Sequence, residues 1–110
     1  MMKMVMSAAA AGLIRALLVR AAVTREAVLL TDYRSTDWQS LTFTGERHEI
    51  AMRIPGPGAA AIVERLLGGL ADAEFAIPGH IVADIALRRA PDMHWDGAIA
   101  IDLEALTIAE

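Results

Sequence analysis

Ile81 to Arg88 (IVADIALR) and Ile99 to Leu106 (IAIDLEAL) both alternate with period two. In the first stretch Ile81, Ala83, Ile85 and Leu87 share one side, opposite Val82, Asp84, Ala86 and Arg88. In the second, Ile99, Ile101, Leu103 and Ala105 oppose Ala100, Asp102, Glu104 and Leu106. Successive side chains on a strand point to opposite faces, so this pattern predicts two half-buried strands. Paired as a hairpin, with Ala90 to Gly97 as the loop, they gather the C-terminal carboxylates on the face away from the core.

Working outward, the preceding segments alternate between helical and extended patterns. Met6 to Val23 has helical spacing, with Ser7 as N-cap and Leu13, Ile14, Leu17, Leu18 and Ala21 on one stripe. Arg15 and Arg20 then face water. Glu26 to Tyr33 turns to β character, and Arg34 to Gln39 (RSTDWQ) is polar and loop-like. Ser40 to Thr44 and Arg47 to Ile54 form two strands joined at Gly45-Glu46, because glycine at the first central position marks a type II′ hairpin. Along the second strand His48, Ile50, Met52 and Ile54 share the core side. Pro55-Gly56-Pro57-Gly58 interrupts the chain and starts a helix over Ala59 to Ala71, which Gly68 and Gly69 weaken. Ile62, Val63, Leu66, Leu67 and Leu70 face inward on it, and Glu64 and Arg65 outward.

These elements predict one α+β domain over residues 1–110. It is a two-layer sandwich with two helices on one face of a mainly antiparallel five-stranded sheet, in the order α-β-β-β-α-β-β.

Composition narrows the function classes. The chain has 110 residues, 55% of them apolar and 5% aromatic, so its core is built from aliphatic side chains and alanine. An apolar excess in so small a domain favours a homodimer, since a two-fold needs only one self-complementary patch. There is no cysteine, which excludes disulfides, thiolate metal sites and cysteine nucleophiles. The net charge is −4, Lys3 is the single lysine and no basic run exists, which argues against nucleic acid as a partner. Lys3 followed by Met4 to Ile14 resembles the start of a secretory leader, but Arg15 and Arg20 continue it into a helical pattern. That stretch is too short and too charged to span a bilayer, so no membrane partner and a cytoplasmic location are expected.

The candidate sites follow from the same pattern. Pairing about His94 sets residues whose numbers sum to about 186 opposite each other, so Asp84 faces Asp102 and Val82 faces Glu104, with Cβ atoms about 4.5–5.5 Å apart. Carboxylates that close repel, which raises one pKa or invites a cation. Asp84, Asp102 and Glu104 are therefore the candidate divalent-metal ligands or acid/base pair. The alternative is a solvated outer face neutralised by Arg88. His80 and Asp84, four apart on a strand, lie about 13 Å from each other and cannot share an ion. His80 is then a residue at the end of the Pro78-Gly79 turn.

His48 among Ile50, Met52 and Ile54 is either a hydrogen-bonded core histidine or the polar handle of a pocket between sheet and helices. Trp38 and Trp95, placed in polar loops, are ligand-binding candidates or covers for the ends of the core. No serine sits in a nucleophile elbow, and the Pro55 to Gly58 loop lacks the lysine and hydroxyl of a phosphate loop. Catalytic residues and cofactor stay unassigned.

Trp38 to His48 (WQSLTFTGERH) and Phe75 to Ile85 (FAIPGHIVADI) resemble small uncharacterised bacterial proteins met as hypothetical reading frames. That resemblance implies no activity, substrate or site. Two functions remain in view: a dimeric protein-interaction domain, and a small-molecule- or divalent-metal-binding or enzymatic domain built around His48 and the three carboxylates.

Overall fold

The structure, a computed structural model, describes residues 6–110. Lys3 and Met4, the start of the leader-like stretch, lie outside the described residues. Helix α1 spans Ala8–Arg20; strands β1 (Leu29–Gln39) and β2 (Thr44–Ile54) follow, then helix α2 (Ala59–Leu67) and strands β3 (His80–Leu87), β4 (Asp92–Met93) and β5 (Ile99–Ala109). Every strand pair is antiparallel, and the five-stranded sheet runs β1-β2-β5-β3, with β4 also on β5. The architecture is the α+β class expected, with the strands distributed as α-β-β-α-β-β-β.

The order changes because Ser40 to Thr44, expected as a strand, is all loop but Thr44, and because two other segments gain strand character. Glu26 to Tyr33 and the polar run Arg34 to Gln39 belong together: Arg25–Ala27 is a 3-10 turn, and one strand of 11 residues follows it. This strand lies at the sheet edge and is mostly exposed on both faces, so it carries no apolar alternation for a pattern to reveal. The second addition, β4, has only two residues, too few to show a period.

The first hairpin also turns elsewhere. Its loop is Ser40 to Phe43, closed where the Ser40 N–H donates to the Phe43 carbonyl (2.9 Å) and the Phe43 N–H to Ser40 Oγ (3.1 Å). Gly45 is inside β2, opposite Trp38 on one side and Ile108 on the other. A Cβ there would sit 2.0 Å from the Thr107 carbonyl oxygen, so glycine serves the close approach of two strands, not a turn.

One face of the sheet is buried under the helices. Ile50, Met52 and Ile54 of β2 and Ile101, Leu103 and Ala105 of β5 meet Leu13 and Leu17 of α1 and Leu66 of α2 in one core. Ser7 caps α1 as its sequence predicts, accepting from the Ala10 N–H at 3.1 Å. Helix α2 stops at Gly68, short of the expected Ala71; Gly69, at φ 65°, turns the chain into a 3-10 segment over Leu70–Asp72. Arg20 is partly buried instead of facing water, while Arg65 is exposed as expected, and both are engaged. Each reaches the other helix's C-terminus, Arg20 bonding the Leu66 and Gly68 carbonyls and Arg65 that of Ala21. Among the described residues no helix is long and apolar enough to cross a membrane.

Candidate functional site

The second hairpin determines where the carboxylates go. Strand β4 occupies the start of β5, pairing Met93 with Ile99 and Asp92 with Ala100. β3 is thereby displaced toward the far end of β5, where His80 faces Ala109 and Leu87 faces Leu103. Its opposed numbers sum to about 190, not 186. Asp84 faces Leu106, Ala86 faces Glu104 and Val82 faces Thr107. Four residues of strand, about 13 Å, then separate the level of Asp84 from that of Asp102. The proposed Asp84–Asp102 pair does not form, and among the described residues no group of three His, Asp or Glu side chains is placed to hold a metal ion.

A bulge at Ala83 adds a second correction. It reverses the phase of β3, so Val82 and Ile85 share the helix side while Ile81 points outward and is 53% exposed. His80 consequently lies on the helix side, with Nδ1 3.1 Å from the Pro78 carbonyl oxygen.

Asp37 and Glu46 oppose each other on β1 and β2, and on the outer face the opposed carboxylates are Glu49 and Glu104, on β2 and β5. Guanidinium groups surround Glu49: Arg34 Nε lies 3.2 Å and Arg88 Nη2 3.3 Å from its oxygens. Arg88 also reaches Asp102 at 3.4 Å, and Arg89 binds Asp102 at 3.1 Å. The outer face is therefore a charge network of alternating sign. Like charges opposed on a sheet destabilise it, and the arginines offset that repulsion.

His48 is fully buried on the helix side at the centre of a polar tie. Its Nδ1 is 2.7 Å from Ser35 Oγ on β1, and its Nε2 is 2.8 Å from Thr107 Oγ1 on β5. The Thr107 hydroxyl in turn points to the Glu46 carbonyl, 3.5 Å away. The network is satisfied throughout with the ring proton on Nε2, donated to Thr107, and the Ser35 hydroxyl donating to Nδ1. Burial holds the His48 pKa below its ordinary value; Glu46 opposes that shift, and His80 adds to it. The ring is neutral near pH 7.

An exposed hydroxyl on a neutral imidazole has the geometry of a nucleophile and its base. The third member is Thr107, however, which carries no charge to stabilise an imidazolium. The arrangement is a hydrogen-bonded bridge across β1, β2 and β5. Sequence pattern identified His48 as the polar residue of the core side but missed both partners. Ser35 belongs to a run that reads as a loop, and Thr107 lies just past the end of the expected strand.

A cavity of about 210 Å³ does lie between helices and sheet, but His48 does not line it. Its floor is Leu17, Ile54 and Leu66; Arg25 and Leu29 form its exposed rim. None of the residues singled out from sequence as ligand-binding or metal-binding touches it.

The tryptophans differ from each other: Trp95 lies in a loop as expected, and Trp38 does not. Trp38 is in β1, half-buried on the outer face opposite Gly45. Trp95 is 98% exposed at the tip of the β4–β5 turn. That turn is held from outside: Arg53 binds Asp96, whose Oδ1 accepts the Ala98 N–H at 3.1 Å. The hydrogen bond from Ala98, helped by Arg53 and opposed by partial burial, holds the Asp96 pKa below the usual carboxylate range. No family model matches the chain, and neither a curated protein nor a solved structure matches it.

Proposed function

We propose that the chain is a protein-interaction domain that acts as a homodimer, paired through the free edge of β1. The observation that carries this reading is the edge itself. β1 has 11 residues, is hydrogen-bonded among the described residues on one side only, to β2, and contains neither proline nor lysine. Natural edge strands are commonly blunted by such residues or by bulges, because a bare row of N–H and C=O groups recruits another strand. The bulge in β1 falls at its start, between Leu30 and Asp32, and leaves Asp32 to Gln39 regular. The opposite edge, β3, is interrupted in its middle and packs against the 3-10 segment at Leu70–Asp72.

A two-fold through Thr36 pairs the regular stretch with itself. Arg34 then lies across from Trp38 of the partner subunit, and Ser35 across from Asp37 of the partner subunit. No carboxylate opposes another, and the guanidinium lies over an indole face. Sedimentation equilibrium over micromolar to near-millimolar protein tests the reading. Thr36→Glu sets two carboxylates together at the two-fold while leaving the exposed position free of core contacts. The expected result is a dimer for the native chain and a folded monomer for Thr36→Glu. A native chain that stays monomeric throughout, or a variant that dimerises equally well, would refute the proposal.

A further inference from the structure

The cavity between helices and sheet has a wall of one chemical kind. Ile14, Leu17, Leu18, Met52, Ile62 and Leu66 supply most of it, and no aromatic side chain takes part. Arg25 is the single charged lining residue. Among the described residues its guanidinium enters no hydrogen bond or ion pair, whereas Arg20 and Arg65 nearby are both committed to helix-end carbonyls. Domain cores are normally packed to crystal-like density, and a void of this size forfeits dispersion contacts along its whole lining. An aliphatic pocket whose rim carries one cation, attracted by the exposed Glu26 but bonded to no acceptor among the described residues, is the complement of an amphiphile with an unbranched tail and an anionic head.

We propose that this cavity binds a free straight-chain monocarboxylate, its tail against Leu17, Ile54 and Leu66 and its carboxylate on Arg25. The size follows by proportion. An engineered aliphatic cavity of about 150 Å³ accommodates benzene, so about 210 Å³ accommodates roughly eight saturated carbons. The head group follows from geometry, because the planar guanidinium fork matches a carboxylate in two parallel hydrogen bonds. The flexibility of an alkyl tail suits walls made of Leu, Ile and Met, with no flat slot for a ring. This assignment does not rest on self-association, since the lining takes only Leu29 and Leu30 from the start of β1 and none of the regular stretch Asp32 to Gln39 on which the pairing is argued.

Titration of the full chain with octanoate, methyl octanoate and acetate, followed by calorimetry and amide chemical shifts, tests it. Octanoate is expected to bind saturably and to shift the amides of Leu17, Ile54 and Leu66. Methyl octanoate, which stands for an esterified lipid chain, should bind at least tenfold more weakly, and acetate not at all. Arg25→Gln should bring octanoate down to the affinity of the ester and leave the ester unchanged. Ile62→Phe, or Leu18→Phe should the first fail to fold by circular dichroism, fills the hole and abolishes both. Equal binding of acid and ester, indifference to Arg25→Gln, shifts scattered over the surface, or no saturable binding of octanoate would each overturn the assignment.

Discussion

Arg20 and Arg65 cap each other's helices. Arg20, in the last turn of α1, donates from Nε to the Leu66 carbonyl (2.9 Å) and from Nη2 to that of Gly68, at the end of α2. Arg65, in the last turn of α2, donates from Nε to the Ala21 carbonyl at the end of α1 (2.8 Å). The final carbonyls of a helix have no partner within it and carry the negative end of its dipole, so each cation meets orphaned acceptors and a favourable field at once. The pair sets the two helices side by side, with their C-termini together over the sheet.

Removing either arginine is expected to destabilise the fold through the other helix. Arg20→Ala, which loses two acceptors' partners, should cost about 1–2 kcal/mol and the more exposed Arg65→Ala about 1 kcal/mol, read from urea unfolding. Because both hold one helix pair, the double variant should lose less than the sum. Strict additivity would show that the two caps act independently.

His48 predicts an acid limb in stability. Its folded pKa lies below the ordinary 6.5, so above that value both folded and unfolded states hold it neutral and it contributes no slope. As pH falls through 6.5 the unfolded chain takes up a proton that the folded chain refuses, and stability declines. Asp96 and Glu26 have lowered pKa values and add their own loss only as pH falls through the carboxylate range. Between pH 7 and 5 the His48 contribution is read as the difference between the native chain and a variant that lacks the ring. His48→Leu should be less stable at neutral pH by about 2 kcal/mol, since it leaves the buried Thr107 hydroxyl only its long contact with the Glu46 carbonyl, and should show a flatter profile across that interval. An unchanged slope in the variant would assign the limb to another group.

Gly45→Ala is expected to disrupt the β2–β5 pairing. The added methyl would stand 2.0 Å from a backbone oxygen, which cannot rotate away as a side-chain end would. A loss of at least about 2 kcal/mol in chemical unfolding is expected, together with faster amide exchange near Thr107. Near-neutral behaviour would mean that the two strands separate there at little cost.

The two tryptophans should be separable by fluorescence. Trp95, at 98% exposure, should be strongly quenched by iodide, and Trp95→Ala should change stability by no more than about 0.5 kcal/mol. Trp38, which covers the bare backbone of Gly45, should be quenched less, and its removal should cost about 1 kcal/mol. Dilution should expose Trp38 further if the β1 edge pairs in the dimer.

The parts legible from sequence were those where one face is buried. β2 and β5 keep an unbroken alternation, and both match expectation because each sits between neighbours with one face on the core. The Ser7 cap and the inward stripe of α1 are local signals of the same kind. β1 was illegible because an edge strand with two wet faces has no period to display. The bulge at Ala83 was illegible because a bulge is a relation between two strands, and IVADIALR reads as perfect alternation without its partner.

The candidate metal site failed for a related reason. Alternation correctly put Asp84, Asp102 and Glu104 on the outer face, but a face is not a contact. Which residues stand opposite depends on register, and register was set by Asp92 and Met93 occupying the start of β5. Ser35, His48 and Thr107 show the converse: three unremarkable residues of chain become one hydrogen-bonded unit only when β1, β2 and β5 lie side by side.

Taken alone, the order of residues determined the class of fold, the two helices, the buried faces of β2 and β5 and the place of His48 on the core side. Tertiary structure decided the register of β3, the exchange of caps between Arg20 and Arg65, the partners of His48 and the cavity beside Arg25. Hydrophobic periodicity is a one-dimensional signal that burial imposes on each element separately. Pairing, capping and cavities depend on how separate elements meet, and that is settled by packing across long stretches of chain.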